Sequence, residues 1–374
     1  MIRFSALVFL LVASAASGQS SAPLAVPDAL TEAVDAYAAA ILAGDTETLD
    51  GYWSAEGYAD RILDGFTLPS YEVRAIHLGA RQVELGTQFA VAEARGSFRF
   101  LRFALRDGEP RARFRLIGED GSLKYLDLLF RADADGAYRL VDAYDYVQGQ
   151  DLTMVARRIL ETTYEAGTQM RSDAERTARI LDLSRAIRVG DWFSVVDLYP
   201  QITPREEDRK TLLMLYLQAA SFVAPAQYRK ALEQFAQEYS DDPDAALVLV
   251  DHHFLEGDLE ATLAAINTLD ASVGGDPFTD QLRANVYVAA DRLGDARAAA
   301  ERLSEALPEL EEAVYPLTDI ALAQGDFETV AACLTRLERE FGVVFEPLVL
   351  KNNPTWAGFT ASAAYKRWLT AREG

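Results

Sequence analysis

Gly257–Ile266 reads GDLEATLAAI, and its opening dipeptide keeps returning in the second half of the chain, at Gly190-Asp191, Gly294-Asp295 and Gly325-Asp326. Each copy closes one amphipathic stretch and opens another. A degenerate copy stands at Ala226-Gln227, and with it the steps are 36, 31, 37 and 31 residues, near the ~34-residue period of stacked helix-turn-helix units. Glycine tolerates the positive φ that ends one helix, and aspartate caps the next. A single two-helix unit cannot bury its apolar face, so the chain from about residue 170 onward is expected to form one continuous all-α superhelix.

Within these units, small and large apolar residues recur at helical spacing. Tyr228, Ala231, Phe235 and Pro243 stand at steps of 3, 4 and 8 residues; Leu259, Thr262 and Ile266, then Ala296, Ala299 and Leu303, then Phe327, Val330 and Leu334 fill the equivalent places. Such residues let paired helices approach closely. The pattern resembles the tetratricopeptide family over about half the chain, and other helical-repeat families share the same small and large positions. The resemblance implies a binding scaffold with a concave groove and implies no chemistry. Residues on the first helix of each unit, Arg179, Arg185, Tyr216, His252, Arg283, Asn285 and Tyr287, are the groove candidates.

The first half of the chain is written differently. Asp28–Ala43 has helical period, Gly44-Asp45 interrupts it, and Thr46–Leu63 continues as a second helix carrying Leu49, Trp53 and Ile62,. Tyr71–Leu78 reads as a short extended piece, and Ala80–Ala94 as a third helix weakened by Gly86,. The period then changes to two over Phe98–Leu105, Arg111–Ile117, Leu123–Arg131 and Tyr138–Val147, joined by Asp107-Gly108, Asp120-Gly121 and Asp135-Gly136, which are hairpin signals. Residues 28–150 are therefore expected to form an α+β unit in which helices pack on a four-stranded antiparallel sheet. This order, with the helix Asp28–Ala43, the Gly44-Asp45 break and Trp53, resembles the nuclear-transport-factor-two-like cone, a shape that often encloses a pocket.

If Asp135-Gly136 is a two-residue loop, Asp127 lies opposite Tyr144, Leu129 opposite Asp142 and Tyr125 opposite Tyr146,. One face then carries Phe114, Tyr125, Asp127, Leu129, Leu140, Asp142, Tyr144 and Tyr146, and the other carries Arg111, Arg113, Arg115, Lys124 and Asp145. Tyr125, Asp127, Asp142, Tyr144 and Tyr146 are the pocket candidates, with Asp127 and Asp142 as an acid/base pair. Cross-strand ion pairs, or an interface with the repeats, account for the same residues without a substrate. A one-residue bulge would exchange the faces.

Composition narrows the partners. The 374 residues are half apolar and carry a formal charge of −22, which argues against nucleic acid and anionic membrane surfaces and suits plain solubility or a basic partner segment. Arg3, the apolar run Phe4–Ala13 and the small residues up to Gly18 have the pattern of a signal peptide, residues 1–18, cleaved after Ala15 or Gly18,. The run is shorter than the about 20 residues a spanning helix needs, so the mature chain is expected to be extracytoplasmic, periplasmic or secreted. Cys333 stands alone inside a helical stretch, which favours a buried structural thiol,. His252 and His253 are about 100° apart on a helix, a poor chelating pair, and Asp241-Asp242-Pro243-Asp244 reads as a helix cap,. No metal, cofactor or nucleophile motif is present.

Asp151 caps a stretch with Leu152, Val155, Ile159 and Leu160 that forms a connecting helix at residues 151–172,. The repeats occupy residues 173–342, and residues 343–374, with Trp356, Phe359, Tyr365, Trp368 and Leu369, form a capping segment,. Two functions remain in view. The first is a non-enzymatic bacterial interaction or scaffold protein that binds a protein or peptide partner in the repeat groove. The second is a small-molecule binder or acid/base enzyme using the pocket of the α+β unit.

Overall fold

A computed structural model of the chain describes residues 24–82, 97–118, 123–146, 149–154, 156–158, 160–161, 174–204, 206–240, 242 and 245–373. The proposed signal peptide lies outside them. Leu30, Val34, Tyr37 and Ile41 recur at three- and four-residue steps along α1 (Asp28–Ala43) and are all buried, the stripe expected of a helix lying on a core. Gly44 ends α1 in the left-handed region, and Asp45 caps α2 (Thr46–Tyr52) by accepting the Thr48 N–H at 3.1 Å.

Two local expectations are corrected here. Thr46–Leu63 is not one helix: Trp53 forms a β-bridge with Leu140, and Ser54 caps a separate α3 (Ala55–Leu63). Tyr71–Leu78 is not extended but lies within α4 (Ser70–Ala80). Its shielded positions, 72, 73, 76, 77 and 80, recur with helical rather than two-residue spacing,. The helix expected at Ala80–Ala94 falls mostly outside the described residues.

The sheet is an antiparallel meander of five strands in sequence order: β1 (Ser97–Arg106), β2 (Glu109–Ile117), β3 (Leu123–Ala132), β4 (Tyr138–Asp145) and β5 (Gln150–Asp151). Four strands were expected. The short fifth arises because the chain turns back at Gly149 and pairs with Tyr144 and Asp145. Asp107 and Gly108 both take positive φ, 53° and 78°, as a two-residue type I′ hairpin requires.

Between β3 and β4 the loop has three residues, Ala134-Asp135-Gly136, closed by the Asp133 N–H on the Ala137 carbonyl at 2.8 Å. A register shift at Leu129/Phe130 compensates, so Asp127 still lies opposite Tyr144 and Leu129 opposite Asp142. No compensation occurs between β2 and β3. Ile117 pairs with Leu123 across an odd number of residues, 118–122, which sets Arg113 opposite Asp127 and Arg115 opposite Tyr125. The expected division into an arginine face and an aspartate–tyrosine face is thereby overturned, because a one-residue difference in the turn exchanges the faces of a strand. Arginines, aspartates and tyrosines share one face.

Phe114 moves to the other face, with Phe98, Ala112, Leu128, Phe130, Leu140 and Ala143, and packs on Leu30, Val34, Tyr37, Ile41 and Leu49. Tyr37 stands edge-on to Phe114 and Phe130 at centroid distances of 6.3 and 5.4 Å, a favoured aromatic geometry.

Asp151, expected to cap the connecting helix, is paired in β5 instead, and the Thr153 N–H donates to Asp142. Residues 152–154, 156–158 and 160–161 are helical, while Val155, Ile159 and residues 162–172 are outside the described residues. Arg157 reaches back to donate to the carbonyls of Arg61, Ile62 and Asp64 at 3.1, 3.1 and 2.6 Å, closing the C-terminus of α3,. The C-terminal region is all-helical. It runs α5 (Ala174–Val189), α6 (Trp192–Leu198), α7 (Glu206–Val223), α8 (Pro225–Tyr239), α9 (Ala246–Glu256), α10 (Leu259–Val273), α11 (Thr279–Ala289), α12 (Leu293–Ala306), α13 (Tyr315–Gln324) and α14 (Phe327–Phe341), each packed on its successor.

Gly190, Gly257 and Gly325 take left-handed φ, and Asp191, Asp258 and Asp326 accept the N–H of Ser194, Ala261 and Thr329 at 3.1, 2.9 and 3.2 Å. The remaining copy behaves differently: Gly294 and Asp295 fall inside the first turn of α12, and Asp291, at φ 58°, makes the left-handed step. Ala231, Phe235, Thr262, Ile266, Ala296, Ala299, Leu303, Val330 and Leu334 are all buried. Cys333 is buried and unbridged, and burial pushes its thiol up. The chain ends in α15 (Pro347–Asn352), α16 (Ala357–Ala361) and α17 (Ala363–Glu373), whose Phe359, Tyr365 and Trp368 pack on Ala321, Val330 and Leu334. No helix among the described residues is long and apolar enough to cross a membrane.

Candidate functional site

The polar face of the sheet is covered by the helical region. Ile117, Leu123, Tyr125, Tyr144 and Tyr146 form one apolar cluster with Ala246, Leu269, Val273, Phe278, Leu303, Leu310 and Ala313, around the C-terminal ends of α10 and α12. Inside this contact Asp127, with no exposed surface, accepts from the Arg113 Nε and Nη2 at 2.7 and 2.8 Å and from the Tyr146 hydroxyl at 3.1 Å. Arg106 lies over the Tyr144 ring at 3.4 Å.

Arg113 and a further arginine, Arg102, reach into the helical region. Arg113 Nη1 donates to the Ser272 carbonyl and Arg102 Nη1 to the Gly274 carbonyl, both at 2.8 Å. They cap the C-terminus of α10, where the helix dipole favours positive charge. Arg115 Nη1 and the Tyr125 hydroxyl each donate to Asp276 at 2.8 Å, and the Arg115 guanidinium lies 4.8 Å from the Phe278 ring centre. Four arginines thus meet two carboxylates, and helix carbonyls and ring faces take the excess positive charge.

Asp142, also without exposed surface, belongs to a separate network. It accepts from Arg61 Nε at 3.0 Å, from the N–H groups of Ala143 and Thr153 at 2.9 and 3.1 Å, and from the Thr153 hydroxyl. Burial and the nearby Asp151 nevertheless push its carboxyl up, against the bonds to Thr153 and Arg61. The Tyr125 and Tyr146 phenols are raised first by burial and then by Asp276 and Asp127 respectively. The five sequence-selected residues therefore share a face, but the aspartates among them are wrapped by fixed donors. An unwrapped base needs a lone pair facing a substrate.

A different place is open. Between α7 and α9 lies a cleft of about 310 Å³, floored by Met214, Leu217, Leu247 and Val248 and bordered by Gln218, Ser221, Phe222, Tyr228 and Asp251. Leu123 and Lys124, at the start of β3, close it from the sheet side, so it needs both parts of the molecule. Phe222 is 64% exposed and stacks on Trp192 at 5.6 Å. Phe193, next to Trp192 in the chain, is 69% exposed, and Val189 is exposed as well. Tyr228 donates its hydroxyl to Asp251 Oδ2 at 2.6 Å. Solvent reaches Asp251 on one side, but the packed side chains on the other push its carboxyl up by desolvation.

A larger cleft of about 850 Å³ runs beside the edge strand β1, walled by Leu24–Val26, Phe100, Phe103 and Leu105. Its wall is the first described stretch of the chain, so what precedes that wall lies outside the described residues.

None of the groove candidates lines the α7/α9 cleft. Tyr216 stacks on Tyr199 at 4.3 Å, about 200° round the helix from Met214,. His252 lies beside His253, with ring centres 5.0 Å apart, and burial and His252 hold the His253 imidazole below its ordinary value. Arg179 donates to the Gln201 carbonyl at 2.6 Å and Arg185 to Asp182 at 3.0 Å. Arg283 is held by Thr279, Asp280, Asn267 and Asp270. Arg292 covers the Tyr287 ring at 4.9 Å, and Asn285 is exposed. The residues missed, Met214, Leu217, Gln218 and Ser221, follow a three- and four-residue spacing, but that spacing marks a face without saying what it meets.

Among the described residues no group of three or more His, Cys, Asp or Glu side chains is placed to hold a metal ion. Comparison of the chain with protein-family models, curated proteins and solved structures finds no match.

Proposed function

We propose that this chain is a non-enzymatic, extracytoplasmic bacterial interaction protein, that its helical region is a tetratricopeptide-like superhelix, and that a partner's peptide segment binds in the α7/α9 cleft. The observation that carries this reading is the cleft itself, with an apolar floor, exposed Phe222 at its rim, and Lys124 and Asp251 on its borders. At about 310 Å³ it sits at the small end of the roughly 300–1,000 Å³ range of ligand sites, which suits a side chain with its backbone better than a cofactor. The proposed export rests on the sequence of residues 1–18. A cone-like pocket with Asp127 and Asp142 as acid and base has less support, since arginine and tyrosine donors occupy Asp127 and arginine, threonine and backbone donors occupy Asp142.

Ser221 is exposed at the rim, so Ser221→Trp fills the cleft without entering the core. Capture from envelope extract, with the full wild-type chain and this variant side by side, tests the reading. A partner retained by the wild type and lost by the variant is expected. A partner retained equally by both would overturn it.

A further inference from the structure

Several carboxylates of the helical region are ion-paired within the protein. Asp280 is held by Arg283 and Arg302, Asp270 by Arg283, Asp326 by Arg297 and Asp242 by Lys210. Asp251 differs: it borders the cleft, its partner is the neutral Tyr228 hydroxyl on Oδ2, and no ion pair to it occurs among the described residues. Lys124 lines the same cleft from the sheet side.

Resting on the peptide-groove reading above, we propose that the cleft takes an arginine side chain from an extended segment of a partner protein. Its guanidinium binds the Asp251 carboxylate and its alkyl stem lies on Met214, Leu217 and Val248. Four observations converge on that chemistry. The carboxylate without an ionic partner borders an apolar wall, and its bond to a guanidinium is charge-assisted on both sides. Tyr228 and Phe222 line the same cleft, and a planar guanidinium stacks on rings while pairing with a carboxylate, which a compact ammonium does less well. The volume admits one long side chain. The formal charge of −22 draws a basic segment toward the surface,. Lys124 disfavours a cation at the sheet end and can donate to peptide carbonyls, so the segment is oriented across the cleft.

The test uses two fluorescein-labelled pentapeptides, Gly-Leu-Arg-Leu-Gly and the same peptide with citrulline, which keeps the shape and loses the charge. Binding to the full chain is read by fluorescence polarisation for wild type, Asp251→Asn and Ser221→Trp, with circular dichroism confirming the fold of each variant. The expected result is that wild type binds the arginine peptide about ten-fold or more tightly than the citrulline peptide, that Asp251→Asn removes this preference, and that Ser221→Trp removes binding. Equal binding of both peptides to wild type, still blocked by Ser221→Trp, would overturn the arginine assignment and leave the groove reading standing. So would an arginine preference that survives in Asp251→Asn. Binding untouched by Ser221→Trp, or no binding of either peptide, would overturn both.

Discussion

The two faces of one five-stranded sheet are built for different neighbours. Toward α1 and α2 the face is Phe98, Phe114, Leu128, Phe130 and Leu140, an apolar surface that any well-shaped apolar partner could cover. Toward α10 it presents Arg102, Arg106, Arg113 and Arg115 among Asp127, Tyr125, Tyr144 and Tyr146. Apolar burial is non-directional and provides most of the stabilisation. Buried ion pairs add little net stability, because desolvation offsets their attraction, yet breaking one leaves an uncompensated charge. The second face therefore fixes where the helical region sits. That fixed placement brings Leu123 and Lys124 to the α7/α9 cleft.

The sharpest way to break this contrast is Asp127→Ala, which strands Arg113 in a dry interface. A loss of about 3–5 kcal/mol in urea unfolding is expected. A loss below about 1 kcal/mol would mean that water reaches the face. On the apolar face, Leu128→Ala is expected to cost about 3 kcal/mol through transfer and cavity terms, with little dependence on salt or pH. Strong salt dependence there would blur the distinction.

Gly274→Ala probes the contact more finely. Gly274 has φ 86°, and an added Cβ would stand 1.2 Å from the Arg102 guanidinium. The arginine must move off the α10 carbonyl, and together with the backbone strain the cost is expected to be about 1–2 kcal/mol in thermal unfolding. Asp142→Asn gives the smallest effect and a pH signature. The Asp142 carboxyl is raised in the folded chain, so its titration stabilises the fold below the ordinary carboxylate value, and that contribution is lost as pH rises through the raised one,. The stability advantage of wild type over Asp142→Asn is expected to shrink across that interval. An advantage that grows there would show that the bonds to Arg61 and Thr153 dominate.

How much of this was legible depended on whether the deciding contact was local. Asp191, Asp258 and Asp326 cap their own helices three residues on, so Gly-Asp announced those turns directly. It failed at Gly294-Asp295 because Asp291, which tolerates left-handed φ, took the step first,. Tyr71–Leu78 misled because apolar and polar residues mixed over only eight positions fit either period,. The sheet faces were hidden because the β2–β3 turn spans an odd number of residues, and a dipeptide signal does not carry that parity. At β3–β4 the three-residue loop and the later shift cancelled, so the expected pairs survived. The cleft was the least readable feature. Its residues come from β3, α7, α8 and α9, and only the docking of sheet on helices brings them together.

The claim that the arginine face fixes the sheet on the helical region is tested most directly by a double-mutant cycle on Arg115 and Asp276, which meet at 2.8 Å from opposite sides of the contact. Stabilities of wild type, Arg115→Ala, Asp276→Ala and the double variant are measured by urea unfolding. A favourable coupling of about 1.5–3 kcal/mol is expected for a buried pair of this kind. Additive effects within about 0.3 kcal/mol would contradict the claim.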